Sequence, residues 1–157
     1  MSVIRMNYIE APDQYDEQGE RSLFLAGSIT GAEDWHTELI KMLEDQDITI
    51  LNPRRKHFPI EDPTAAEAQI RWEHEHLGKA TAISFWFAKG TLSPITLYEL
   101  GSWSRSEKPM FIGVDPLYLR KADVEIQTKL ARPDIKIVYS LEDLARQIIE
   151  WANDAME

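Results

Sequence analysis

Two glutamates are candidates for a carboxylate pair, a pairing that spacing alone does not establish. Glu73 lies in the helix-length stretch Pro63 to Lys79, and Glu99 in Tyr98-Glu99-Leu100-Gly101. Paired carboxylates are standard equipment for breaking bonds to an anomeric carbon: one attacks or stabilises the oxocarbenium-like centre, and the other manages the leaving group's proton. Read as a helix, Pro63 to Lys79 stacks Ala66, Ile70, Glu73 and Leu77 on one stripe. A carboxylate on that stripe is directed toward the protein, where desolvation favours its neutral, proton-donating form. At the stripe's edge it would instead pair with Arg71 or Lys79. Glu99 stands near the start of a helix among Ile95, Leu97, Leu100 and Trp103, with Gly101 allowing close approach. Its alternative reading is a surface charge favoured by the helix dipole.

Other groups carry weaker signals. Gly27-Ser28-Ile29-Thr30-Gly31 joins two glycines and two hydroxyls, and can bring backbone N–H groups to an anionic or hydroxyl ligand beside a helix start. It matches neither GxGxxG nor a P-loop, and a plain strand-to-helix turn explains it equally. Trp72, Trp86 and Tyr98 could wall an aromatic ligand, or simply pack the core. Arg54-Arg55-Lys56 could hold phosphate, although a solvated loop is the simpler reading. His74 and His76 are two residues apart and point to different helix faces, with His36 and His57 distant, so no metal site is expected.

Continuous apolar runs of the kind buried on both faces of a parallel sheet position these residues. They fall at Ser22–Ala26, Ile48–Leu51, Ala82–Phe87, Met110–Val114 and Ile135–Tyr139, with a further short edge strand over Val3–Ile9. Helices are expected over Ala32–Gln46, over Pro63–Lys79 with Pro63 in its first turn, over Pro94–Ser106 with Ser93 as N-cap, and over Leu141–Met156 with Ser140 as N-cap. Asp123–Leu130 could add another. Alternating strand and helix predicts one α/β domain, a parallel sheet of about five strands with helices on both faces. Residues 1–21 then form an edge strand and loop ahead of the domain at 22–157. Ligands of such sheets bind past the carboxyl ends of the strands, here at Gly27–Gly31, Asn52–Arg55, Ala88–Pro94 and Gly113–Asp115.

Composition narrows the partners. At 157 residues, 43% hydrophobic, the chain can bury one substantial core. A net charge of −10 repels polyphosphate backbones, which argues against polymeric nucleic acid and leaves room for one small anion in a local loop. No cysteine is present, so disulfides and thiolate metal sites are excluded and a reducing cytoplasm is the natural setting. The first ten residues lack a signal-peptide core, and no apolar run reaches the ~20 residues of a membrane span.

In order along the chain, Phe24-Leu25-Ala26-Gly27-Ser28-Ile29, Trp72-Glu73, Ile83-Ser84-Phe85-Trp86-Phe87 and Pro94-Ile95-Thr96-Leu97-Tyr98-Glu99-Leu100-Gly101 resemble the nucleoside 2-deoxyribosyltransferase-like superfamily, closest to its bacterial and phage members. The likeness runs from about Leu23 to Val114. It implies a flavodoxin-like (Rossmann-like) sheet, a homo-oligomer, a small nucleoside or nucleotide as ligand, and no cofactor. The family's attacking glutamate, before Leu-Gly, falls on Glu99 and forms a covalent 2-deoxyribosyl intermediate that a second base or water resolves. The acid that handles the base falls on Glu73, where relatives carry Asp.

This chain departs from the pattern at two positions. Thr81 replaces an acidic residue that opens a strand, and Ser93 stands where the transferases have Asp. The related deoxynucleoside-monophosphate hydrolases carry Ser there and use the Gly-Ser-Ile loop as a phosphate cradle. By this likeness Gly27, Ser28, Ile29, Gly31, Asn52, Trp72, Trp86, Ser93, Pro94 and Tyr98 form the substrate-binding set. Transferase, monophosphate hydrolase and non-catalytic nucleotide sensor are the readings to separate.

Overall fold

The computed structural model describes residues 6–154. Its strands are β1 (Asn7–Glu10), β2 (Ser22–Gly27), β3 (Thr49–Asn52), β4 (Ala82–Phe87) and β5 (Met110–Val114). Its helices are α1 (Trp35–Met42), α2 (Ala65–Lys79), α3 (Pro94–Trp103), α4 (Lys121–Ala131) and α5 (Leu141–Ala152). All strand pairings are parallel, in the order β1-β3-β2-β4-β5. The first part of the edge strand expected from Val3 lies outside the described residues.

Two apolar layers sandwich the sheet. Phe24, Ala26, Leu51, Ile83, Phe85, Phe87 and Ile112 face Trp72 and Leu77 of α2, Leu100 of α3 and Val124 of α4. On the opposite face Leu23, Leu25, Ile50, Ala82 and Trp86 meet Trp35 and Leu39 of α1 and Leu144, Ala145 and Ile148 of α5. Helices thus cover both faces, and the alternate residues of each buried run supply the two layers.

The fifth strand is not the one expected at Ile135–Tyr139. That segment makes a single parallel bridge, Val138 to Gly113, with Val138 accepting from Val114 N–H at 2.9 Å and donating to Ile112 C=O at 3.0 Å. Pro133 and the turn bond from Ile135 N–H to Arg132 C=O shorten the extended stretch, and β1 fills out the sheet on its other edge instead.

Helix ends also move. Asp34 caps α1 by accepting from Thr37 N–H at 3.1 Å, so the helix starts three residues later than expected and ends at Met42. α2 starts at Ala65, not Pro63, because the Asp62 carboxylate takes the N–H and hydroxyl of Thr64 and holds a turn there. α3 stops at Trp103 and α5 at Ala152, short of Ser106 and Met156; Ser140 caps α5 through Asp143 N–H as expected. Ser93 does not cap α3: it is left-handed (φ 52°, ψ 53°), and its hydroxyl is used elsewhere.

The chain leaves β2 for β3 on one side and later crosses to β4 on the other. The switch point, where crevices open in doubly wound sheets, therefore lies at the carboxyl ends of β2 and β4. Among the described residues no helix is long and apolar enough to cross a membrane.

Gly113 on β5 sets the closeness of the β4–β5 layer. A Cβ there would meet Trp86 ring atoms at 2.7 and 2.9 Å. Gly113→Ala is expected to lower the unfolding free energy by about 1–3 kcal/mol, the range for overpacked cores, read from urea melts. An unchanged midpoint would show that Trp86 has room to yield.

Candidate active site

A cavity of about 880 Å³ opens at the switch point, between α2, α3 and the loop that follows β2. Glu73 and Glu99 both line it. α3 brings Glu99 in from the β4 side on the stripe Ile95, Glu99 and Ser102, and α2 brings Glu73 with Ile70, His74 and Leu77. The α2 stripe predicted to face the core is in fact its border. Ala66 and Ile70 are exposed, while Ala65, Trp72, His76 and Leu77 are buried. Glu73 sits between these faces and points along the cavity wall.

The ion pairs that would have neutralised Glu73 form elsewhere. Arg71 bonds Glu67 at 3.4 Å and Lys79 bonds Glu75 at 3.1 Å, each one helical turn away. Glu73 accepts one hydrogen bond, from Gln69 Nε2 at 3.1 Å; the same amide donates to Pro53 C=O at 2.8 Å. Burial raises the Glu73 carboxyl above the ordinary range, partly offset by that bond. Glu99 is pushed up to about 8, first by burial and then by the charge of Glu73. Burial and a neighbouring like charge both disfavour the ionised form, so the pair holds its protons to higher pH than free carboxyls do.

Hydroxyls gather at the loop end of the cavity. Ser28 Oγ lies 2.6 Å from Ser93 Oγ and 3.4 Å from Thr91 Oγ1, and all three residues line the wall. Ser93 is buried, and its left-handed backbone turns the hydroxyl into this cluster rather than onto the α3 amides. Gly27 is required here by space: a Cβ would fall 2.2 Å from Trp35 Cζ2 and 2.7 Å from the Trp86 carbonyl oxygen.

Of the residues read as substrate-binding, the cavity collects Gly27, Ser28, Ile29, Ser93, Pro94 and Tyr98. Four others lie apart from it. Trp72 is in the core, donating from Nε1 to Asp13 C=O at 2.7 Å and stacking on His76. Asn52 is buried at the end of β3, where it donates to Tyr8 Oη at 2.9 Å and accepts from Arg54 N–H at 3.0 Å. Gly31 and Trp86 line a second cavity, of about 870 Å³, together with Trp35 of the α1 layer. The pleat of β4 sends Trp86 to the sheet face opposite Phe85 and Phe87.

The cavity also takes in residues outside the expected substrate-binding set: Thr30, Ile70, His74, Thr91, Ser102 and Arg105. The α3 stripe through Glu99 would have found Ser102, and Thr91 lies in the Ala88–Pro94 segment past the carboxyl end of β4. Thr81, at the far end of β4, exchanges bonds with Ser22: its hydroxyl donates to Ser22 C=O and accepts from Ser22 N–H, at 2.9 and 2.7 Å. It ties two strand starts together and is not among the cavity residues. Among the described residues no group of three or more His, Asp or Glu side chains could hold a metal ion, and His76 is committed to Trp72 C=O and Tyr15 N–H.

No curated protein matches the chain. The family model described as nucleoside 2-deoxyribosyltransferase like matches residues 20–118, a span that holds both glutamates and every residue lining the cavity. That match covers well over half of the sequence, and the chain belongs to the nucleoside 2-deoxyribosyltransferase-like family.

Proposed function

We propose that the protein cleaves or transfers the N-glycosidic bond of a 2-deoxyribonucleoside through a glycosyl-Glu99 intermediate. The observation that carries this reading is the pair of carboxyls in one cavity, both raised by burial and Glu99 further by the charge of Glu73. Such a pair keeps one proton at neutral pH, so the site holds one nucleophile and one acid. An Oε of Glu99 bonds to C1′ as the C1′–N bond breaks; the electron pair goes to the base, and the proton of the pair reaches it from Glu73. In the empty site burial favours the proton on Glu99. Positive charge developing at C1′ stabilises ionised Glu99 and shifts the proton to Glu73. Water or a second base then attacks C1′ as the C1′–Oε bond breaks, gives its proton to Glu73 and frees the Glu99 carboxylate.

A second reading, hydrolysis of a deoxynucleoside 5′-monophosphate, is favoured by the Ser28–Ser93–Thr91 cluster. Hydroxyls can donate to a phosphate without the repulsion a carboxylate at position 93 would add. Incubating one deoxynucleoside, or its monophosphate, with a foreign free base separates the readings. A swapped nucleoside marks the transferase and free sugar phosphate the hydrolase, whereas binding without turnover would overturn both.

Glu99→Ala is expected to cut base release on the order of 10³-fold or more; undiminished release would refute the nucleophile assignment. The kcat/KM profile is expected to be bell-shaped. It falls above an apparent pKa near 8, where the pair loses its last proton, and on the acid side above the usual glutamate range, where the pair gains its second. Glu73→Gln should slow the reaction by roughly 10²–10⁴ and abolish the alkaline limb. Persistence of that limb in the variant would place the essential proton elsewhere.

Stability should report the same repulsion. Because Glu99 takes up its proton more readily folded than unfolded, its ionisation opposes folding as pH rises from about 4.5 to about 8. Glu99→Gln should stabilise the fold at pH 8 by on the order of 2 kcal/mol, with the gain vanishing near pH 4.5. A pH-independent difference in thermal midpoint would contradict this.

A further inference from the structure

Arg54 is neither a solvated loop residue nor a residue of the cavity wall. Its side chain is 19% exposed, and its guanidinium is spent on the protein. Nη2 donates to the carbonyls of Ile29 at 3.2 Å and Glu33 at 3.3 Å; Nε is shared between His36 Nδ1 at 3.1 Å and the Asp34 carboxylate at 3.2 Å. These acceptors lie at both ends of the segment that turns through Gly31 (φ +76°) between β2 and α1. The near end of that segment, Ser28 to Thr30, lines the cavity beside Glu99. The backbone of Arg54 is itself fixed, its N–H bonded to Asn52 Oδ1.

The neighbours of the guanidinium suit this task. Asp34 also caps α1 through Thr37, so the loop's far end is anchored to a helix. His36 is fully buried and stacks on Trp35 at 3.7 Å. Burial and the Arg54 charge push its pKa down to about 3, so Nδ1 stays an acceptor through the working range. Trp35 Nε1 completes the arrangement by donating to Ser28 C=O at 3.1 Å. The carbonyls of Ser28, Ile29 and Glu33 are thus all held from the protein side.

We propose that Arg54 is a positioning residue: one guanidinium clamps the Ile29–Glu33 loop in the shape that receives the sugar and its 5′ substituent. Its kinetic consequence rests on the glycosidic activity proposed above; its structural consequence does not. A lysine ammonium lacks the planar fork needed to reach carbonyl, carboxylate and imidazole acceptors together, so charge alone does not suffice. Loss of the clamp leaves only a fraction of molecules with the loop correctly shaped, which weakens binding by that fraction and leaves the bound reaction unaltered.

The test uses the full chain with Arg54→Ala and Arg54→Lys, and has two independent arms. In the first, backbone ¹⁵N order parameters of Ile29–Glu33 should fall from the rigid range near 0.85 to below ~0.6 in both variants, with β4 unaffected. Unchanged loop values in either variant would overturn the clamp. In the second, KM for the deoxynucleoside or monophosphate turned over by the wild type should rise about tenfold or more, with kcat within about threefold. Millimolar guanidinium should restore KM in Arg54→Ala, and Arg54→Lys should stay impaired. A loss confined to kcat, full recovery by lysine, or no rescue by guanidinium would refute the positioning role. Should the wild type turn over no deoxynucleoside or monophosphate, the glycosidic reading falls, and the order parameters alone decide whether Arg54 holds the loop. Should Arg54→Ala not fold, Arg54→Lys carries both arms.

Discussion

Two acidic side chains share one cavity in which burial raises both carboxyls and the charge of Glu73 raises Glu99 further, and that constraint organises the site. The helical phase of α2 keeps that helix's own cations from Glu73: Arg71 and Lys79 find Glu67 and Glu75 one turn away, and among the described residues the neutral amide of Gln69 is the hydrogen-bond donor that Glu73 has. Those ion pairs are exposed to different degrees and contribute little to stability. Their effect is to divert positive charge from a carboxyl that repels its partner across the cavity. Burial supplies the larger part of the Glu99 shift and mutual repulsion the rest.

The sheet makes this juxtaposition possible. Reversal of strand order between β2 and β4 opens a crevice that no crossover covers, and α2, which leads into β4, and α3, which follows it, run along its sides. The tight residues are on the sheet side: Gly27 admits the Trp35 ring, and Gly113 admits Trp86. The packed layer under α1 and α5 therefore supports the loop from behind while the cavity stays open in front.

Much of this architecture was legible in the residues. Four of the five strands read as unbroken apolar runs because a parallel sheet buries both faces, and both glutamates stood out by their place after or beside those runs. The errors have local causes. Ile135–Tyr139 has a strand's composition, but Pro133 and a turn leave it one bridge. Trp72 and Trp86 looked like walls for a base because aromatic side chains serve both purposes; only the fold shows that one lies beneath α2 and the other in the opposite layer. Ser93 before Pro94 reads as a helix cap in any one-dimensional scheme, since nothing local announces the hydroxyl of Ser28 sixty-five positions upstream. The role of Arg54 was hidden for the same reason: its acceptors come from a loop some twenty residues earlier.

The backbone at Ser93 bears on the chemistry of that end of the crevice. A left-handed conformation costs an L-residue roughly 1–2 kcal/mol that glycine avoids, so convenience of folding alone would place glycine there. The chain carries serine instead, buried and with its oxygen against Ser28. Whatever arrives at that end of the crevice meets a polar atom carried by a backbone conformation that favours glycine.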